Sequence, residues 1–405
     1  MSRFNTSTNH PIIPNAQQYM FERQYISIHS EDRNTLKYPN SSEFELELPQ
    51  YYLNVQGIKL VSSRFPRNVR VFSACQKNIT LTFKITKPYN PAEFIWSYDP
   101  ILEAIFAALY NHITENYIVV IEEGSYTPVQ MATELTNKFN YEVTKMLLNS
   151  TYLTDAQKSQ LLSSGGYSEF IIVYNEVSKK LWFGNRSSEF TLTTSDVVEL
   201  EQESINCCNK NTLPEYAPWG LPWYLGLSRC DTVSIIDPSL NSQTRFYYTD
   251  ASGGIWLTSN PYLMYSNAYY AVATYPINLL GSTYMYMEIK GLNILDETEP
   301  YNFSTFTMQT NQNNGIVNSA FAKIPFVVSG NEGEYVDELD GGVYKIYNPP
   351  AERIRKIAIK IRYHNGTLVN FENKNYSFTL EFTLFRPQNA KSYTMYTPET
   401  IANNF

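Results

Sequence analysis

The side chains that most often carry catalysis or bind metals are few in this chain and lie far apart. Histidine occurs at positions 10, 29, 112 and 364, and the cysteines are Cys75, Cys207, Cys208 and Cys230. Zinc sites need such ligands at close spacing, and no Cys-x-x-Cys pair occurs. The Gly-Gly pairs at 165–166, 253–254 and 341–342 lack the spacing and the following Lys-Ser/Thr of a phosphate loop. The sequence therefore predicts no catalytic, metal-binding or cofactor-binding residues and no cofactor.

Carboxylates are the remaining candidates for chemistry, and they form two groups. An acidic stretch of the kind that can bind calcium comprises Glu332, Glu334, Asp337, Glu338 and Asp340. Its spacing matches no calcium loop, which favours a solvated hairpin loop. Glycoside cleavage needs two carboxylates beside the bond, and the candidates are Glu122, Glu123, Glu201 and Glu203. A polysaccharide-cleaving enzyme therefore stays open as a minor alternative.

Aromatic side chains offer a second alternative, a carbohydrate-binding, lectin-like sandwich. Its stacking platforms would be Trp219, Trp223 and Trp256, which lie in a proline-containing stretch. Tryptophans of this kind are also common in protein cores, and we favour buried tryptophans.

Two basic clusters could contact other chains. One comprises Arg64, Arg67 and Arg70, and the other comprises Arg353, Arg355, Lys356, Lys360 and Arg362. We interpret both first as the solvent-facing sides of strands. The alternative is complementary contact with acidic subunits, which would steer assembly.

Bulk composition excludes several classes of protein. The 405 residues have a net charge of -8 and only 17% charged residues, while aromatic residues reach 15%, with 33 Tyr and 22 Phe. Disorder needs low hydrophobicity and high net charge, and nucleic-acid binding needs a basic excess, so neither is expected. The N-terminus lacks the apolar segment of a secretory signal, and no run approaches the roughly 20 apolar residues of a transmembrane helix. The small number of cysteines predicts a reducing compartment.

The N-terminal quarter of the chain predicts strands. Residues 1–24 lack periodicity and predict an extended arm, after which Tyr25–His29 predicts a strand. Acidic and apolar residues alternate strictly over 43–48, which predicts a strand with one buried face that ends at Pro49. Two further strands are predicted at Val55–Ser62 and Ile79–Ile85.

The middle of the chain predicts a module of mixed α and β character over 91–200. Helices are expected after Asp99-Pro100 and after the capping boxes that begin at Thr127 and Thr154, the last ending at Gly165-Gly166. Strands are expected at Tyr117–Glu122, Phe170–Tyr174, Lys180–Phe183 and Glu189–Thr194. Residues 201–265, rich in proline and aromatic residues, predict a loop-rich connection with a few short strands.

The C-terminal third has the clearest strand pattern. Apolar residues alternate with polar ones over Ile357–Tyr363 and again over Tyr376–Leu384. Between them, Asn365-Gly366 predicts a hairpin turn with a return strand at Leu368–Phe371.

These patterns predict a mainly β fold: an antiparallel β-sandwich or jelly-roll-like core with an inserted α+β module and extended termini. The predicted segments are an N-terminal arm (1–24), an N-terminal β segment (25–90), the α+β module (91–200), the aromatic connection (201–265), the C-terminal sandwich strands (266–387) and a C-terminal tail (388–405).

Several short segments share a pattern with one known family. They are Ile28–Arg33, Tyr38–Phe44, Asn54-Val55, Arg64–Pro66, Ile121–Thr127, Ile361–Phe371 and Tyr376–Phe382. Together they are spread over most of the chain except 201–265. This set resembles the minor capsid proteins of large icosahedral nucleocytoplasmic DNA viruses, and its motifs are structural rather than catalytic.

The resemblance implies a β-sandwich protein without enzymatic activity that cements or scaffolds arrays of major capsid protein. Its partners would be the major capsid protein and other minor capsid proteins, with contact to an inner membrane left open. It implies no direct contact with nucleic acid and no small-molecule substrate. The protein would be assembled in the host cytoplasm and reside in the capsid of the virion. A vertex (penton) protein is the alternative, because single jelly rolls occupy the vertices of such capsids.

Overall fold

Two compact units, together containing eighteen strands and four α-helices, are seen in the described part of the chain. The computed structural model describes residues 19–66, 69–90, 100–194, 218–236, 243–247, 255–263, 266–298, 317–325, 335–336, 343–364, 366–372 and 374–387. The first unit takes the described residues of 19–69, 282–298 and 317–387, and the second takes those of 70–281. The second unit is thus inserted into the first along the sequence.

In chain order the strands are β1 (Tyr19–His29), β2 (Glu43–Pro66), β3 (Thr80–Lys87), β4 (Tyr117–Val120), β5 (Phe170–Asn175), β6 (Lys180–Asn185), β7 (Glu189–Leu192), β8 (Thr232–Val233), β9 (Gln243–Tyr247), β10 (Ile255–Thr258), β11 (Tyr269–Val272), β12 (Tyr284–Ile289), β13 (Leu295–Thr298), β14 (Val317–Ala320), β15 (Ala322–Pro325), β16 (Tyr335–Val336), β17 (Tyr344–Arg362) and β18 (Ser377–Pro387). The helices are α1 (Pro100–Asn111), α2 (Pro128–Asn149), α3 (Asp155–Ser163) and α4 (Leu221–Tyr224).

The first unit is built on one antiparallel sheet with the strand order β1-β18-β2-β17-β12-β15, in which β16 also pairs with β2. Strands β13 and β14 form a separate antiparallel pair. One face of the main sheet is apolar because apolar residues alternate along its strands. That face supplies the buried core of the unit, which includes Ile28, Phe44, Ile58, Met287, Ile324, Ile359 and Phe382.

The second unit combines three small antiparallel sheets with helices. The sheet orders are β4-β3-β7-β8, β11-β6-β5 and β10-β9. Helix α2 buries one stripe of its surface, and its Phe139 stacks on Phe83 of β3 with ring centroids 4.3 Å apart. The predicted mainly β fold, an antiparallel sandwich of jelly-roll-like type with an inserted α+β module, is confirmed. The division into six segments stays a prediction.

The local signals for helices and hairpins in the second unit also agree with the structure. Thr127 and Thr154 each form a complete capping box at the start of α2 and α3. The β5–β6 hairpin turns at Asn175, whose side chain accepts hydrogen bonds from the backbone N–H groups of Val177 and Ser178. Asp99, proposed as a cap of α1, lies outside the described residues.

Several strand boundaries differ from the prediction, among them the start of β17, which is Tyr344 and not Ile357. Strand β1 begins at Tyr19 and not at Tyr25, because residues 19–24 pair with β18 and so do not belong to a free arm. Strand β2 continues past Pro49, since an irregularity in its pairing with β17 absorbs the proline where a ladder N–H is not needed. The predicted return strand at Leu368–Phe371 is reduced to a single bridge between Arg362 and Leu368.

Candidate functional site

The segments that resemble the capsid family lie in the first unit, except Ile121–Thr127, which lies in the second. The N–H of Ser30 donates to the carbonyl of Tyr376 at 2.8 Å, and the N–H of Tyr376 donates back to the Ser30 hydroxyl at 2.9 Å. The Tyr376 hydroxyl donates to the carbonyl of Ser41 at 2.9 Å, and the Ser42 hydroxyl donates to the carbonyl of Val369. Segments more than 300 positions apart in sequence are therefore joined by buried hydrogen bonds.

Aromatic residues from the same segments form one buried cluster around Tyr376. Its ring lies 4.7 Å from that of Phe65, 5.0 Å from that of Phe371 and 6.2 Å from that of Phe44. Burial raises the pKa of the Tyr376 hydroxyl far above its ordinary value. The cluster thus holds together segments that are far apart in the sequence.

Arg33, in the first of these segments, also has a structural role. Its guanidinium donates to the carbonyls of Ser30 at 2.7 Å, Tyr38 at 2.9 Å and Pro39 at 3.0 Å. An arginine that donates to three carbonyls of a single loop fixes the shape of that loop. The motif residues therefore explain how the fold is closed.

The side of the main sheet that faces away from the core carries exposed apolar side chains; we call it the outer face. Phe21 on β1 is 58% exposed, Leu53 on β2 is 52% exposed and Ile346 on β17 is 59% exposed. Phe21 contacts Phe385 of β18, with ring centroids 5.3 Å apart. These residues come from four neighbouring strands, so the outer face is a broad surface with apolar and aromatic groups.

The outer face also carries charged groups, several of which are paired within the chain. Glu381 on β18 lies opposite Tyr25 of β1 and forms a 3.6 Å ion pair with Arg23. A hydrogen bond with Glu381 raises the pKa of Tyr25. On β17, Tyr344 covers Gly57 of the neighbouring strand β2. A side chain in place of Gly57 would collide with the Tyr344 ring. Surfaces that combine Tyr, Phe and paired charges are typical of protein contact sites.

The C-terminal basic cluster lies opposite the acidic row of β2. In the register of the two strands, Lys356 is paired with Glu47 and Lys360 with Glu43. Arg355 forms an ion pair with Glu47 at 3.2 Å, and Lys356 approaches Glu47 at 3.6 Å. The chain thus supplies acidic partners for this cluster itself, which weakens the idea that it exists to bind acidic subunits.

Arg362 does not face solvent, contrary to the prediction for its cluster. It is 2% exposed and donates to Glu288 on β12 and, at 2.7 Å, to Glu297 on β13. His364 lies 3.4 Å from the same Glu297 carboxylate. Burial opposes the charge of Arg362, but the two carboxylates outweigh it, so its pKa is raised. Alternation alone indicated a surface residue, because the covering strand β13 lies more than 60 positions away in sequence.

The N-terminal basic cluster is not a single feature. Arg64 belongs to the first unit and Arg70 to the second, and Arg67 lies outside the described residues. Arg70 forms a 2.7 Å ion pair with Glu123.

Of the carboxylates proposed for glycoside cleavage, the structure describes Glu122 and Glu123, which are consecutive residues just after β4. Glu201 and Glu203 lie outside the described residues. Glu123 accepts a hydrogen bond from the N–H of Ala74 at 3.0 Å, and this bond together with Arg70 lowers its pKa. A general acid needs the opposite shift, so Glu123 does not fit that role, and its contacts with Ala74 and Arg70 join two loops.

The proposed tryptophan platform is not exposed in the part that the structure describes. Trp219 is 3% exposed, with the guanidinium of Arg229 5.6 Å from its ring. Trp223 is half-buried against the core of the second unit and contacts Tyr224 edge-on at 5.0 Å. The side chain of Trp256 lies outside the described residues. Trp219 is therefore buried in the fold, as we expected from the sequence.

A buried polar group that the sequence did not single out lies in the second unit. The carboxylate of Glu169 accepts a hydrogen bond from Asn260 at 2.7 Å, while its other oxygen is buried without a hydrogen bond. Burial raises the pKa of Glu169, although the nearby Arg186 opposes this effect. No local motif marks Glu169, because its environment is created by a loop about 90 positions later.

Metal binding, membrane insertion and free thiols concern other residues of the described ranges. Among those residues, no three His, Cys, Asp or Glu side chains are grouped so that they could hold a metal ion. No helix there is long and apolar enough to cross a membrane. The acidic stretch from Glu332 to Asp340 falls outside the described residues, apart from Tyr335–Val336. Cys75 and Cys230 are exposed free thiols.

Comparisons with known proteins give limited similarity. No protein-family model matches the chain, and no curated protein matches it. A chain in the electron cryomicroscopy structure of the Sputnik virophage is 12% identical, with 94% of this chain and 99% of that chain covered and a TM-score of 0.35. The penton protein of mavirus is 10% identical, with coverages of 90% and 99% and a TM-score of 0.30. Both TM-scores lie below 0.5, so these likenesses carry no argument about fold or function.

Proposed function

We propose that this chain is a structural protein of a viral capsid, of the minor capsid type, that cements or scaffolds arrays of major capsid protein in a large icosahedral virion. The observation that carries the proposal is the outer face of the main sheet. It presents apolar and aromatic side chains from four adjacent strands, as surfaces that bind other proteins do.

The chemistry of the motif residues supports this proposal. The segments that resemble minor capsid proteins are used for hydrogen bonds and aromatic packing that close the fold, as around Tyr376. Two of the groups proposed for catalysis and for sugar binding, Glu123 and Trp219, are instead engaged in structural contacts. Motif residues that stabilise the fold favour a structural role for this chain in a capsid.

The proposed partners are the major capsid protein and other minor capsid proteins, and the proposed location is the virion. Contacts across the outer face would be mainly apolar, since Arg23, Arg355 and Lys356 already have acidic partners within the chain. Binding of this kind gains free energy from burial of apolar area, with paired charges setting the orientation.

The proposal can be tested by incorporation into particles. The test variant combines Leu53→Ser and Ile346→Ser on the outer face, and the matched control combines Leu162→Ser and Val177→Ser, which are similarly exposed in the second unit. We expect the amount of the test variant in purified particles, relative to major capsid protein, to fall about tenfold, the effect of losing about 1.4 kcal/mol of binding. The control should be incorporated like the natural chain.

Equal incorporation of both variants would show that the outer face is not the contact surface. Absence of the natural chain from purified particles would overturn the capsid role itself. Density for the chain at five-fold vertices, and not between trimers of major capsid protein, would replace the cementing role with a vertex role.

A further inference from the structure

Strand β1 forms an edge of the main sheet. Its eleven residues pair with β18 in one continuous register, from Tyr19 opposite Pro387 to His29 opposite Ser377, without a bulge. No other strand in the described part of the chain pairs with β1. Within the described residues, one whole side of this long strand is therefore open to a further strand.

The hydrogen-bond pattern identifies the backbone groups on the open side. The N–H of Ser30, just after β1, donates to the carbonyl of Tyr376, just before β18, which continues the register by one pair beyond His29 and Ser377. In an antiparallel pair, residues alternate between those that bond to the partner strand and those that point away from it. The even-numbered residues of β1 thus bond to β18, and the N–H and C=O groups of Phe21, Arg23, Tyr25, Ser27 and His29 point to the open side.

Another edge of this protein is protected, which makes the open edge of β1 informative. Strand β5 is also an edge, but side chains of α2 bond to its backbone: the N–H of Phe170 donates to Asn140 at 3.0 Å and the N–H of Ile172 donates to Thr136 at 2.9 Å. Proteins usually shield edges in this way, or with prolines, bulges or short strands. Strand β1 has none of these features.

We propose that β1 pairs with β1 of a second copy of this chain, antiparallel and about a two-fold axis through Gln24. The sheets of the two copies would then continue into each other. This inference is independent of the proposed function, because the dimer would form in solution without a virion.

The sequence of β1 favours this register over its neighbours. With Gln24 opposite Gln24, all eleven residues from Tyr19 to His29 are paired, and each open odd-numbered residue meets another. Arg23 then lies opposite Tyr25 of the second copy, which places a cation beside an aromatic ring. Glu22 lies opposite Ile26, so no two like charges are opposed.

Each one-residue shift of the axis shortens the paired overlap by two residues, and a shift toward the N-terminus also opposes like charges. Centring the axis on Arg23 would place two arginines opposite each other and shorten the overlap by two residues. Centring it on Glu22 would oppose two glutamates. The register centred on Gln24 therefore gives the longest pairing and opposes no two like charges.

The first measurement is the mass of the full chain in solution by sedimentation equilibrium. We expect a dimer with a dissociation constant below about 100 µM, the range of a weak specific contact. Ser27→Pro removes an N–H only from the open side and leaves the bonds to β18 intact, so it should weaken dimerisation at least tenfold while the circular dichroism spectrum is unchanged. A natural chain that stays monomeric, or a Ser27→Pro variant that dimerises normally, would overturn the proposal.

A disulfide trap tests the register itself. In a background with Cys75, Cys207, Cys208 and Cys230 changed to Ser, Gln24→Cys would place two sulfurs on facing residues about 4.5 Å apart between Cα atoms, within reach of a disulfide.

The matched control is Glu22→Cys, whose two copies would lie four residues, or about 14 Å, apart along the strand. We expect covalent dimers from Gln24→Cys under mild oxidation and none from Glu22→Cys. Equal cross-linking of both variants, or of neither, would contradict the register.

Discussion

Arg362 illustrates, at the scale of single residues, what an alternating sequence does not reveal. It stands in a strand where its neighbours Lys356 and Lys360 face outward, yet Glu288 and Glu297 enclose it. Sequence alternation correctly indicated the face of the sheet. It could not indicate that β13 covers this part of the face, because that contact depends on residues far away in the chain.

The buried ion cluster should make a large contribution to stability. We expect Arg362→Met to lower the free energy of unfolding by about 3–5 kcal/mol, because it leaves two carboxylates without their cation. Arg355→Met is the matched control: the same strand and residue type, but with an exposed ion pair, so its effect should stay within about 1 kcal/mol. Urea unfolding measures both, and similar values for the two variants would contradict a special role for the cluster.

Glu169 predicts a specific dependence of stability on pH. Burial raises its pKa in the folded chain, so it contributes stability below the ordinary pKa of glutamate and loses that contribution as pH rises through the raised value. Glu169→Gln does not titrate. The stability of the natural chain relative to this variant should therefore fall as pH increases from acid to neutral.

Unfolding by urea at a series of pH values measures this effect. Glu176→Gln, in the exposed turn between β5 and β6, controls for the loss of one negative charge. A constant difference between the natural chain and Glu169→Gln across the series would refute the predicted shift.

At the scale of elements, signals contained within a few residues could be predicted from the sequence. The capping boxes at Thr127 and Thr154 define the starts of α2 and α3, because both partners lie within four residues. Strand alternation likewise located β3 and β18. The prediction that this strand ends at Pro49 is wrong, because the continuation of β2 depends on how β17 pairs with it.

The capping box of α2 should contribute measurably to its stability. Thr127→Ala removes the hydroxyl that accepts from Gln130, and we expect a loss of about 1 kcal/mol in the free energy of unfolding. Thr133→Ala, an exposed position inside the same helix, is the control and should cost little, since alanine has high helix propensity. Equal losses for both would show that the cap has no particular role.

At the scale of the whole molecule, the discontinuous first unit is the feature hardest to infer from sequence. Its sheet joins β1 and β2 to β17 and β18 across an insertion of about 200 residues, and no local pattern encodes that pairing. The fold class was still predictable, because each strand carries its own alternation. The outer face could not be predicted, because residues 19–24 lack periodicity and so give no sign that Phe21 belongs to a sheet.

The terminal segments lead to a prediction about assembly. From the sequence we expect 1–24 and 388–405 to be ordered mainly by partner chains. Because residues 19–24 pair with β18 within the chain, the prediction is now restricted to 1–18 and 388–405. Limited proteolysis should then cleave the isolated protein before Tyr19 and after Pro387, where the described pairing of β1 and β18 ends, and should spare these sites in particles. The same protection in both states would argue against such arms.

The central claim is that this chain is a capsid component bound through the outer face of its main sheet. An electron cryomicroscopy map of the virion tests it most directly. The account predicts density for the chain in which Leu53 and Ile346 contact a neighbouring capsid protein. A particle that lacks the chain, or in which its outer face is turned to solvent without a neighbour, would contradict the account.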